Sequence, residues 1–124
     1  QVLGIFEVDG TLNSPDTDPG LHHLQFGHGS FDELFDRYDK LKQEGIVPVQ
    51  TWNHGVSTSF YYQDPDKNLA EMNCVNFATE KEFFGYFQTD AYKKNVSGIV
   101  IDAEEYISRY RSGISRENLV KISN

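Results

Sequence analysis

The sequence predicts an α+β fold: one β-α-β-β-β unit followed by a mostly helical tail. Three observations carry this. Residues 56–63 and 69–75 each alternate polar and apolar side chains with the period of a strand, and a short turn-forming segment joins them. Residues 30–44 carry an apolar stripe at helical spacing behind a good N-cap. The last third of the chain repeats helix-start signals at Thr79, Asp102 and Ser115.

Gln1 to Val8 (QVLGIFEV) reads as a strand that begins abruptly, so further sequence upstream is expected. Asp9 to Gly20 is a loop rich in Asp, Pro, Ser, Thr and Gly. Leu21 to Phe26 is the next strand. Leu21, His23 and Gln25 share one face, and His22, Leu24 and Phe26 the other. Adjacent histidines on a strand point opposite ways, so at most one of the pair enters a given site.

Ser30 caps the helix that follows, and Glu33 completes a capping box. Phe31, Leu34, Phe35, Tyr38 and Leu41 form its stripe, and Gly45 ends it. Ile46 to Gln50 is a short strand. In the next strand Ser57, Ser59, Tyr61 and Gln63 share one face, with Val56, Thr58, Phe60 and Tyr62 opposite. Asp64-Pro65-Asp66-Lys67-Asn68 supplies the turn, because Pro presets φ and Asp and Asn bond back to the backbone. In the last strand Glu71 and Asn73 oppose Ala70, Met72 and Cys74. The helix stripe needs an apolar partner, and Leu24, Phe26, Phe60, Tyr62, Met72 and Cys74 can form it. The opposite face then gathers His23, Gln25, Ser59, Tyr61, Glu71 and Asn73. Helices are expected over 79–88, 102–113 and 115–122, packed through Phe83, Phe84, Tyr86, Phe87, Ile107 and Tyr110.

One domain with a modest core fits 124 residues, and nine Phe and seven Tyr are enough to fill it. A net charge of −8 argues against nucleic acid and anionic membrane as partners, since both require a basic patch. The single cysteine, Cys74, permits no intrachain disulfide and reads as a small buried hydrophobe. There is no signal-peptide pattern and no apolar run long enough to span a bilayer, so a cytoplasmic protein is expected. Asn95-Val96-Ser97 fits a glycosylation sequon, a triplet that also arises by chance.

Glu71 is the informative residue. A carboxylate in mid-strand between Ala70 and Met72 either faces solvent or holds a partner. His23 can lie on the same face of a neighbouring strand. Imidazole and carboxylate suit a divalent transition metal such as iron, manganese or zinc. Two ligands are too few for a tight site, so a third is expected from elsewhere. Two histidines and one carboxylate would leave positions open for substrate and oxygen.

GLHHLQF, followed by NHGVSTSFYYQDPDKNLAE, resembles the vicinal oxygen chelate superfamily, and within it the small extradiol-type ring-cleaving dioxygenases. DPDKN stands where those proteins usually carry DPDGN before the strand with the ligand Glu. NFAT and GIVIDAEEYISRYRSGIS extend the resemblance through the tail. It implies paired βαβββ modules forming a curved sheet around a metal. Residues 1–8 would be the last strand of a largely missing first module, 21–75 a complete second module, and 76–124 a helical C-terminal extension.

The resemblance also implies roles. His23 and Glu71 fall on metal ligands for Fe(II), or less favourably Mn(II). The other histidine ligand belongs to the missing module. His54 and Tyr61 fall on positions that contact bound oxygen and orient the substrate anion. A further acid/base histidine would fall near Gln1, which cannot carry protons, and some relatives place a fourth ligand where Glu7 stands. His22 reads as structural, and His28 as a surface-loop residue ahead of the alternative that it points into the mouth of the site. The implied activity is O2-dependent cleavage of a catechol-like diol. The alternatives are a non-redox enzyme of the glyoxalase or antibiotic-resistance kind, and a non-catalytic binding module. Assembly as a homo-oligomer, or with the missing N-terminal segment, is expected.

Overall fold

The computed structural model describes residues 4–5 and 20–122. Gln1, Glu7, and most of the strand expected over 1–8 and the loop over 9–20 lie outside the described residues. The rest is a mixed α+β arrangement on an open, curved five-stranded sheet. In chain order the elements are β1 (His23–His28), α1 (Phe31–Gln43), β2 (Gln50–Asn53), β3 (Ser57–Gln63), β4 (Leu69–Val75), α2 (Glu80–Tyr86), α3 (Asp90–Lys94), β5 (Ile99–Val100), α4 (Ala103–Arg111) and α5 (Arg116–Val120). The strands lie side by side in the order β1-β4-β3-β2-β5. β1 runs parallel to β4, and the other neighbours are antiparallel.

α1 forms where its signals stand. Ser30 Oγ accepts the Glu33 N–H, acidic residues occupy the first turn, and Lys40 and Lys42 sit in the last. The Glu33 carboxylate bonds the Gly29 N–H at 2.8 Å rather than that of Ser30, so the expected capping box is displaced by one residue. The complete box is at Thr79 and Glu82, opening α2. Asp102 and Ser115 cap α4 and α5 as expected.

The core lies on one face of the sheet. Phe31, Leu34, Phe35 and Tyr38 of α1 bury against Phe60, Tyr62 and Cys74, and against Ala103, Tyr106, Ile107 and Leu119 of the tail helices. The Phe35 ring sits 6.1 Å from Phe60 and 5.1 Å from Tyr110, within the range of aromatic pairing. Leu24 and Phe26, expected in this core, are 55 % and 50 % exposed. Among the described residues β1 is an edge strand, and α4 and α5 complete the core in its place.

Two further corrections concern the sheet. The short strand expected at 46–50 is found at Gln50–Asn53, starting four residues downstream, because Pro48 has no N–H to give to a ladder. Pairing begins where the Val49 N–H meets the Tyr61 carbonyl at 2.8 Å. The tail is mostly helical, as expected, but it also supplies the short strand β5, which was not expected. β5 pairs Val100 with Trp52 and Ile99 with Asn53.

Candidate active site

The register decides which side chains meet on the face away from the core. Tyr61 lies opposite Glu71, Gln50 opposite Tyr61, and Trp52 opposite Ser59. Strand alternation therefore puts Gln50, Trp52, Ser59, Tyr61 and Glu71 on one surface. On β1, Gln25 lies opposite Glu71, and His23 shares its side.

His23 Nε2 stands 2.9 Å from Glu71 Oε2, and Asn73 Nδ2 donates to Glu71 Oε1 at 3.2 Å. The residue is 4 % exposed, so these partners offset the desolvation of its carboxylate. The donor set is one imidazole nitrogen and one carboxylate oxygen, which fits two positions around a divalent first-row cation. Among the described residues, no group of three His, Cys, Asp or Glu side chains converges. The third ligand expected from a preceding module would lie outside them.

A second pair stands beside the first. His54 Nε2 lies 3.1 Å from the Tyr61 hydroxyl, and the Tyr61 ring meets the His23 ring edge-on at 5.6 Å. Burial, followed by the Glu71 charge and a hydrogen bond to that carboxylate, pushes the Tyr61 pKa well above its ordinary value. Tyr61 is therefore a protonated donor, with its hydroxyl between an imidazole and a carboxylate. His54 Nδ1 reaches the Ser97 carbonyl at 2.6 Å. The Trp52 indole lies parallel to the His54 ring, with centroids 5.5 Å apart.

Trp52, His54 and Tyr61 open onto a cleft of about 340 Å³ lined also by His22, Gln50, Leu69 and Ser97. That volume is at the lower end of small-molecule sites. Of the two adjacent histidines, His22 rather than His23 lines this cleft. β1 starts at His23, so His22 precedes the ladder, turns to its neighbour (Nδ1 to Nδ1, 2.6 Å) and lines the same cleft. Trp52, Leu69 and Ser97 did not stand out in the sequence. Had β2 been placed at Gln50–Asn53, the alternation Gln50, Trp52, His54 would have put Trp52 on this wall. Ser97 is marked only as part of the sequon triplet, which carries no signal for the cleft.

His28 bonds the Asn73 carbonyl through Nδ1 at 3.2 Å and is partly buried, so it is not the free surface-loop residue expected. Cys74 is buried, as expected of a small hydrophobe. No described helix is long and apolar enough to cross a membrane.

Residues 5–72 match the family model described as Glyoxalase/Bleomycin resistance protein/Dioxygenase superfamily. The chain is similar to biphenyl-2,3-diol 1,2-dioxygenase 2 of Rhodococcus globerulus, 41% identical over 83 residues, covering 67% of this chain and 44% of the relative. It is also similar to biphenyl-2,3-diol 1,2-dioxygenase 3 of the same organism, 34% identical over 100 residues, covering 81% and 53%. The chain thus spans about half the length of these curated relatives. No solved structure matches it significantly.

Proposed function

The chain belongs to the glyoxalase/bleomycin resistance protein/dioxygenase superfamily, and from that premise we propose that it serves extradiol-type cleavage of a catechol-like diol by O2. The observation that carries this reading is the juxtaposition of two pairs on one sheet face: His23 with Glu71, and His54 with Tyr61. The names of the two relatives, both biphenyl-2,3-diol dioxygenases, support the same substrate class.

His23 Nε2 and Glu71 Oε2 would hold Fe(II), or less favourably Mn(II). When bound, the cation supplies Lewis acidity and a template for the diol and O2. The protein's own groups do the positioning. The Tyr61 hydroxyl, 3.1 Å from His54 Nε2 on the cleft wall, can turn its hydrogen toward an oxygen of the diol. His54 Nε2, in reach of Tyr61, can take a proton from the same oxygen. Trp52 and Leu69 give the cleft an apolar wall for the aromatic ring.

The test is anaerobic loading of the chain with Fe(II), followed by metal analysis and O2 uptake with catechol and biphenyl-2,3-diol. About one iron per chain, with uptake and a ring-opened product of both oxygen atoms, is the expected result. A bound metal without uptake for any diol would favour the non-redox alternative. A chain that holds no metal would leave only a binding module.

A further inference from the structure

We propose that the Asn95–Gly98 turn, which precedes β5, is a positioning device that locks the His54 ring as its Nδ1–H tautomer and so presents Nε2 to the cleft as a proton acceptor. The catalytic consequence rests on the dioxygenase reading, whereas the geometry does not.

A carbonyl oxygen only accepts. With the Ser97 oxygen 2.6 Å from His54 Nδ1, that nitrogen must carry the hydrogen. The neutral ring then has its lone pair on Nε2, 3.1 Å from the Tyr61 hydroxyl, which can rotate its hydrogen to that nitrogen. Sequence position alone would not bring Ser97 there, 43 residues from His54. The turn is built to do so. Asn95 closes it with both ends of its amide: Oδ1 accepts the Gly98 N–H at 2.9 Å, and Nδ2 donates to the Gly98 carbonyl at 3.0 Å. Gly98 has φ +89°, and a Cβ there would stand 2.1 Å from the Asn53 carbonyl and 2.5 Å from the His54 Cα. Only glycine lets the turn lie this flat against the backbone that carries His54. On the other side the Trp52 indole is parallel to the imidazole within 3° and restrains its tilt. The Asn95-Val96-Ser97 triplet therefore serves turn closure in this fold, with the Asn95 amide already engaged.

The experiment is NMR of the imidazole nitrogens, with His54 assigned by the signal lost in His54→Gln, alongside O2-uptake kinetics of the Fe(II)-loaded chain. The wild type should show Nδ1 protonated and Nε2 free. Asn95→Ala should give mixed tautomers and lower kcat about tenfold with KM little changed, as weakened acid–base positioning would. Asn95→Asp, which still accepts the Gly98 N–H, should recover most of both. If Asn95→Ala fails to fold, the wild-type tautomer and Asn95→Asp still decide the matter. An Nε2–H tautomer in the wild type overturns the proposal, as does an Asn95→Ala spectrum unchanged from wild type. A chain with the Nδ1–H tautomer but no uptake with any diol sinks the dioxygenase reading and leaves the positioning role standing.

Discussion

Glu71 is a nearly buried carboxylate held by the His23 imidazole and the Asn73 amide, with the Tyr61 hydroxyl beside it. Its face, and that of His23, could be read from alternation alone. The neighbouring His22 could not, because alternation holds only inside a ladder and the ladder starts one residue later. Two outcomes follow at this scale. Under the metal-site reading, Glu71→Ala and His23→Ala should each weaken Fe(II) or Mn(II) binding by more than about 100-fold, beyond the cost of losing a supporting hydrogen bond. Anaerobic calorimetric titration measures this, and unchanged affinity in either variant would remove that residue from the site. His23→Ala should also destabilise the fold by about 1–3 kcal/mol, because it strips a buried acceptor of a partner. Urea denaturation gives that number.

The β3–β4 turn shows how an element records its own sequence. Asp64 Oδ1 accepts the Asn68 N–H at 2.8 Å, and Oδ2 accepts from Asn68 Nδ2 at 3.0 Å. These bonds hold the Asp64 carboxyl below the usual range. Lys67 has φ 68°, in the left-handed region, at the position where the resembling family usually has glycine. Lys67→Gly should therefore stabilise the protein by about 0.5–1 kcal/mol, the relief of the side-chain clash exceeding the entropy glycine adds to the unfolded chain. A urea midpoint that does not rise would show that the turn carries no such strain. α1 was legible for similar reasons, since cap, stripe and terminating glycine are all local. β2 was not, because a strand's limits depend on which partner carbonyl its N–H groups meet, and Pro48 moves that meeting downstream.

Across the whole molecule, the tail is bound into the sheet rather than appended to it. Asn53 is 1 % exposed; its Nδ2 donates to the Val120 carbonyl at 2.8 Å, and its Oδ1 accepts from Gly55 N–H and Asn76 Nδ2, each at 2.9 Å. Asn53→Ala should cost about 2–3 kcal/mol, since it orphans buried groups on three segments, and thermal denaturation would reveal it. The tyrosines set the alkaline limit. Burial pushes Tyr62 and Tyr106 up to about 12, and burial with nearby carboxylates pushes Tyr38 and Tyr61 higher still. The folded state thus keeps protons that the unfolded chain releases near the ordinary value of 10.0. Their contribution to stability is fully present below about pH 10 and is lost as pH rises from there through the folded-state values. Burial likewise raises the Cys74 thiol from its ordinary 9.0, so urea midpoints that begin to fall near pH 9 and fall more steeply above about pH 10, in step with tyrosinate absorbance, are expected. A midpoint still level well above pH 10 would contradict it.

The amino-acid order alone settled what depends on neighbours in the chain: the capped α1, the alternation of β3 and β4, and the common face of Tyr61 and Glu71, because period and capping are local physics. Only the folded chain decided what depends on distant backbone. It moved β2 and drew β5 out of the tail. It left Leu24 and Phe26 at an exposed edge and laid the Ser97 carbonyl on His54. Those outcomes turn on which hydrogen-bonding groups meet across the sheet, and no window of adjacent residues contains that information.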